Sequence, residues 1–231
     1  MCALAVLQMA RQDPRYLLPC AVILTMMAVP PLLARRRMRQ LLLSGDVLRV
    51  LGSWQGAIDR VMFPETMAPL MAATAYASYG WVDAAQTALD RAAKGPAWDA
   101  AVEQRLFIEV LLDTFHGDRA SGVSKAEKLE QLPLPPAGPL ARRRVARLRK
   151  GVSALARAFA HRSAGTDSKK LLSAASSTPL LYWAMRYGAA VVAIDGGNLT
   201  EARHLLDGAP PWPEQSAFRV FDAELRGLIT A

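Results

Sequence analysis

Apolar and small residues recur at helical spacing along most of the chain, and one set of offsets returns three times. A small residue is followed by an apolar or aromatic one, then by Gly, Ala and a branched apolar residue. The sets are Gly45, Leu48, Gly52, Ala57, Val61; Ala73, Tyr76, Gly80, Ala85, Leu89; and Ala190, Ala193, Gly197, Ala202, Leu206. This is the spacing of a helix–turn–helix unit. The small residue lets two helices approach closely, the Gly closes the first helix with positive φ, and the Ala and branched residue pack the second helix back onto the first.

The pattern predicts helical pairs throughout. Leu41 to Leu51 and Trp54 to Met62 form the first, stopped by Pro64; Thr66 to Tyr79 and Val82 to Ala93 form the second, stopped by Gly95 and Pro96. Trp98 to Phe115 is amphipathic and ends at Gly117, with Ser121 to Leu132 as its partner. A Pro-rich connector at 133–138 follows. Pro139 opens a helix whose buried stripe is Val145, Leu148, Val152, Leu155 and Phe159. Ser168 to Ala175 is a short helix, Pro179 to Ile194 with Thr200 to Leu206 is the last pair, and Ser216 to Ile229 is a terminal cap. The domain reading is therefore hairpins over 41–132, the connector, and further hairpins with the cap over 139–231.

The N-terminal region has a different pattern. Leu17 to Ala34 reads LLPCAVILTMMAVPPLLA, 18 residues without a charge, which as a helix is about 27 Å long and just sufficient to span a bilayer. Residues 1–34 are read as an apolar membrane segment, with 17–34 as the transmembrane helix and the opening MCALAVLQMA as the end of another. A basic juxtamembrane cluster at 35–40, with Arg35, Arg36, Arg37 and Arg39, follows at once and places the remainder on the cytoplasmic side of the inner membrane. A cleaved signal peptide fits less well, because its charge would precede the apolar core. A buried helix is the other rival, since Pro30 and Pro31 shorten the strictly helical part.

Composition supports an all-α chain: alanine is abundant and β-branched residues are sparse. Arginine outnumbers lysine, which suggests a GC-rich bacterial genome. Only two cysteines occur, Cys2 and Cys20, so no disulfide framework or cysteine zinc site can be built. The net charge of +8 favours anionic neighbours. Its densest expression is ARRRVARLRK, where Arg143, Arg147 and Lys150 share a helical face opposite the apolar stripe. That face suits solvent first, anionic lipid second, and nucleic acid third, because neither aromatic stacking platforms nor a helix–turn–helix reader is evident.

The offsets resemble the tetratricopeptide repeat (TPR), best in AATAYASYGWVDAAQTALDRAA, with LSGDVLRVLGSWQGAIDRV and AAVVAIDGGNLTEARHLL behind it. Together they cover about a quarter of the chain. The resemblance implies a short, degenerate TPR-like α-solenoid following the transmembrane helix. It also implies that an extended partner peptide lies on the first helices of the pairs. The matching groove positions are Leu70, Thr74 and Ser78, then Tyr187, Val191 and Asp195. The Lys/Asn clamp that some members use for a C-terminal carboxylate is absent from these positions. The first two repeats lie 28 residues apart rather than the family's usual 34, which predicts a distorted superhelix.

The three histidines, His116, His161 and His204, have no metal-ligand spacing. No GxSxG, phosphate loop, dinucleotide fingerprint or HExxH is present. The chain therefore reads as a membrane-anchored, non-enzymatic protein–protein interaction adaptor without catalytic residue, cofactor or metal. The alternative is a nucleic-acid or anionic-surface binder using residues 141–150.

Overall fold

Helix-stop chemistry sets the boundaries of the elements in the computed structural model, which describes residues 17–230 and, for residues 17–28 and Pro31, the backbone alone. The helices are α1 (Leu17–Leu43), α2 (Val47–Ile58), α3 (Pro64–Ser78), α4 (Val82–Ala92), α5 (Val102–His116), α6 (Arg119–Gln131), α7 (Pro139–Phe159), α8 (Asp167–Ser177), α9 (Tyr182–Asp195), α10 (Leu199–Leu206) and α11 (Ala217–Thr230). Two 3-10 turns, Asp99–Ala101 and Pro179–Leu181, precede α5 and α9, and no strand occurs among the described residues. The fold is all-α. Proline opens α3 and α7, and Asp46, Asp118 and Asn198 cap α2, α6 and α10 by accepting from Arg49, Ser121 and Glu201 backbone N–H groups.

The second and third offset sets form helical hairpins with matching turns. The Trp81 N–H donates to the Tyr76 carbonyl at 2.9 Å and the Gly80 N–H to Ala77 at 3.1 Å; Asn198 donates to Ala193 at 2.8 Å and Gly197 to Ile194 at 2.9 Å. Gly80 and Gly197 adopt φ of +72° and +74°, the left-handed C′ position of a Schellman turn. Ala85 and Ala202 are fully buried, and Leu89 and Leu206 pack beside them.

The first set does not form a pair. Gly52 and Ala57 lie inside the single helix α2 and are exposed, so the predicted break between Leu51 and Trp54 is corrected. The turn falls seven residues earlier, at Gly45, whose φ is +78°. A Cβ there would lie 2.8 Å from the Pro210 ring, so both the dihedral and the contact require glycine.

The inner-membrane localisation is also corrected: among the described residues no helix is long and apolar enough to cross a membrane. The described side chains of α1 run from Val29 onward and carry Arg35, Arg36, Arg37 and Arg39, whose transfer into hydrocarbon is unfavourable. The proposed helix preceding residue 17 lies outside the described residues, as do the side chains of 17–28. The α1 backbone continues through Pro30 and Pro31 rather than breaking there, although each proline forfeits a helical hydrogen bond.

The described residues fall into two compact units, one ending at residue 41 and the other beginning at residue 42. In the second, α3–α4, α5–α6, α7–α8 and α9–α10 pack as successive pairs. Its core includes a run of aromatic rings, Phe159, Phe115, Phe218, Tyr187 and Trp212, with neighbouring centroids 5.0–6.4 Å apart, within the favourable range for edge and offset pairs. The segment entering α11 docks on the Gly80 turn: the Ala217 N–H donates to the Gly80 carbonyl at 2.8 Å and the Ser216 hydroxyl to Tyr79 at 2.6 Å. The C-terminal helix therefore packs on α9 and α10 while its entry reaches back to α3.

Candidate functional site

A cavity of about 600 Å³ in the second unit is walled by the first helices of three successive pairs. From α3 come Met67 and Thr74, from α5 Gln104 and Phe107, and from α7 Leu148 and Arg149; Ala100 and Ala101 of the first 3-10 turn and Leu180 and Leu181 of the second also line it. The walls are mostly apolar, with a few polar groups, the ordinary make-up of a site for an apolar ligand or side chain.

Those polar groups are internally tied. The Thr74 hydroxyl donates to the Leu70 carbonyl at 2.7 Å and accepts from the Gln104 amide at 3.3 Å. Arg149 is only 3 % exposed. Its Nε donates to Glu103 Oε1 at 3.0 Å, and its other nitrogens donate to the Leu132 and Pro133 carbonyls. One guanidinium thereby fixes the start of the Pro-rich connector against α5 and α7. Removing such a buried charge's partner costs far more than an exposed pair. The sequence reading of the run 141–150 did not single out Arg149. Its signal was its place four residues after Val145 and three before Val152, on the apolar stripe itself.

The six expected groove residues divide by burial. Leu70, Ser78, Tyr187 and Val191 are buried, at 0, 1, 0 and 7 % exposure, so their side chains serve the core. Tyr187 accepts from Trp212 Nε1 at 2.7 Å and donates to Asp222 Oδ1 at 3.1 Å. Burial, reinforced by the Asp222 charge, pushes its phenol far above the ordinary tyrosine range. Asp195 is exposed and meets His161 Nδ1 at 2.9 Å, tying the ends of α9 and α7. Thr74 alone of the six lines the cavity. The reason is rotational: α3 and α9 are apolar nearly all round, so offsets alone did not say which face each presents to the core.

The expected basic residues fall in two places. Arg35, Arg36, Arg37 and Arg39 are exposed on α1. Arg143, Arg147 and Lys150 are exposed on α7 and line a second cavity of about 450 Å³ with Ala146, and with Thr166, Lys169, Lys170 and Ser173 of α8 and its N-terminal flank. The α8 contribution was not legible from the charge run, because it lies about 20 residues further along. Below this bay, buried Asp167 binds Arg157 and Lys170, each at 2.9 Å. Burial raises the Asp167 pKa, but hydrogen bonds from Arg157, Lys170 and the Ala164 N–H outweigh it and hold the carboxyl well below the usual range. Among the described residues no cluster of three or more His, Cys, Asp or Glu side chains could hold a metal ion.

No family model, curated protein or solved structure matches the sequence.

Proposed function

We propose that residues 42–230 act as a non-enzymatic interaction adaptor of the TPR-like kind, receiving an apolar segment of a partner protein. The observation supporting this reading is the 600 Å³ cavity whose walls are α3, α5 and α7, the first helices of consecutive pairs. That is the face on which the resembled family holds peptides. An apolar side chain from a partner gains about 25 cal/mol for each Å² removed from water there, and Gln104 and Glu103 add polar groups to the lining.

The test is selection of peptides from a random displayed library on the full chain, followed by Ala100→Trp. Ala100 is exposed and lines the cavity, so the indole fills space without entering the core. Selected peptides should share an apolar anchor, and the variant should weaken them by about tenfold or more at an unchanged melting temperature. Retention of binding in a folded Ala100→Trp protein rules this cavity out.

A further inference from the structure

We infer that the bay between α7 and α8 is a binding site for a compact soluble anion carrying two or more neighbouring phosphoryl groups. Arg143, Arg147 and Lys150 follow one another at four and three residues, which stacks them on one face of α7, and Lys169 lines the same bay from α8. Among the described residues none of these four has an ion pair or side-chain hydrogen bond. The contrast lies within the same helices: Arg149 and Arg157 of α7 are engaged by Glu103 and Asp167, and Lys170 of α8 by Asp167. The bay thus brings four uncommitted cations together beside Lys170, and no carboxylate lines it. Asp167, the nearest acid in sequence, is fully buried and spent on Arg157 and Lys170.

Close packing brings the two helices' basic side chains together. A Cβ on Gly151 of α7 would lie 2.3 Å from the Ala174 Cβ of α8, so the helices touch there with no intervening side chain. Holding like charges in one concave space is unfavourable until an anion enters, and low-dielectric walls strengthen its attraction. Guanidinium forks suit phosphoryl oxygens, and the Thr166 and Ser173 residues add hydroxyls to the lining. The rise from Arg143 to Lys150 is about 10 Å and the volume about 450 Å³, dimensions of a small ligand rather than a long strand. No aromatic side chain lines the bay, so it lacks the stacking platform that single-stranded nucleic acid uses.

Tripolyphosphate is the probe, titrated calorimetrically into the full chain at low ionic strength, beside vesicles containing phosphatidic acid and a DNA duplex. Saturable one-to-one binding of tripolyphosphate is expected. It should weaken by about tenfold or more in Arg147→Glu/Lys169→Glu and by less than about twofold in Arg91→Glu, an exposed cation outside the bay. If the double reversal lowers the melting temperature, Arg143→Gln/Lys150→Gln carries the same expectation. The inference is overturned by absence of saturable binding, by equal losses in the bay and Arg91 variants, or by saturable binding only to vesicles or duplex. Peptide capture by the α3–α5–α7 cavity should be unchanged in these variants, so failure of one site is distinguishable from failure of the other.

Discussion

Residues 45–61 and 73–89 carry the same five-position pattern, yet the first stretch contains one helix after a turn at Gly45 and the second is a hairpin turning at Gly80. In the second, residues after the glycine enter the core: Ala85 and Ala92 are fully buried, and Ala88 and Leu89 nearly so. In the first, Ala57 is exposed and Leu48 is 59 % exposed. Nothing lies within 4 Å of a Cβ built on Gly52, whereas one on Gly80 would meet Phe218 at 3.0 Å. A small-residue pattern specifies a close helix crossing only where a second apolar face is available to close upon it. Otherwise hydrogen-bond continuity favours one longer helix.

The α7–α8 pair sharpens the comparison, because no glycine holds the left-handed position that closes α7. Its Arg162 N–H donates to Arg157 at 2.9 Å, the bond that Trp81 makes to Tyr76, while the left-handed position is held by His161 at φ +52°. A β-carbon in that region costs about 1–2 kcal/mol. The buried Asp167, receiving Arg157, Lys170 and the Ala164 N–H, offsets it. Asp167→Asn should therefore have the largest effect, about 3–5 kcal/mol by denaturant unfolding. Because the folded-state pKa of Asp167 is depressed, its contribution is present above about pH 4 and is lost as pH falls from there through the folded-state value. The difference between wild type and variant should accordingly shrink in acid.

Next in size is Ala85→Leu, expected to cost about 1–3 kcal/mol through overpacking, against a change within about 0.5 kcal/mol for Ala57→Leu. Equal melting temperatures for the two would break the comparison. The smallest effects should differ in sign. Gly80→Ala should destabilise by about 1–2 kcal/mol because of its positive φ, while Gly52→Ala, in an open helical position, should stabilise by about 0.5–1 kcal/mol.

The candidate sites were legible to different extents. Arg143, Arg147 and Lys150 were placed on one face by spacing alone, and they do share a bay. Its other side, Lys169 and Lys170, required knowing that α8 folds back onto α7. The apolar cavity was largely hidden: Leu148 belongs to a predicted stripe, but a stripe does not say whether it is covered or lines a void. Tyr187 and Ser78 were assigned to a groove from repeat offsets, and both went to the core.

Helix type, most helix ends and two hairpins were determined by local sequence, through apolar periodicity, Pro at N1, Asp and Asn caps, and glycines able to take positive φ. These are interactions between residues within a few positions of one another. What only tertiary structure decided was which face of an almost wholly apolar helix points inward, which glycine becomes a turn, and which arginine is buried. Each depends on distant surfaces: Gly45 on Pro210, Gly80 on Phe218, Arg149 on Glu103 and Leu132. Burial energy is shared across the whole packed set, so it selects among conformations that the local sequence leaves close in free energy.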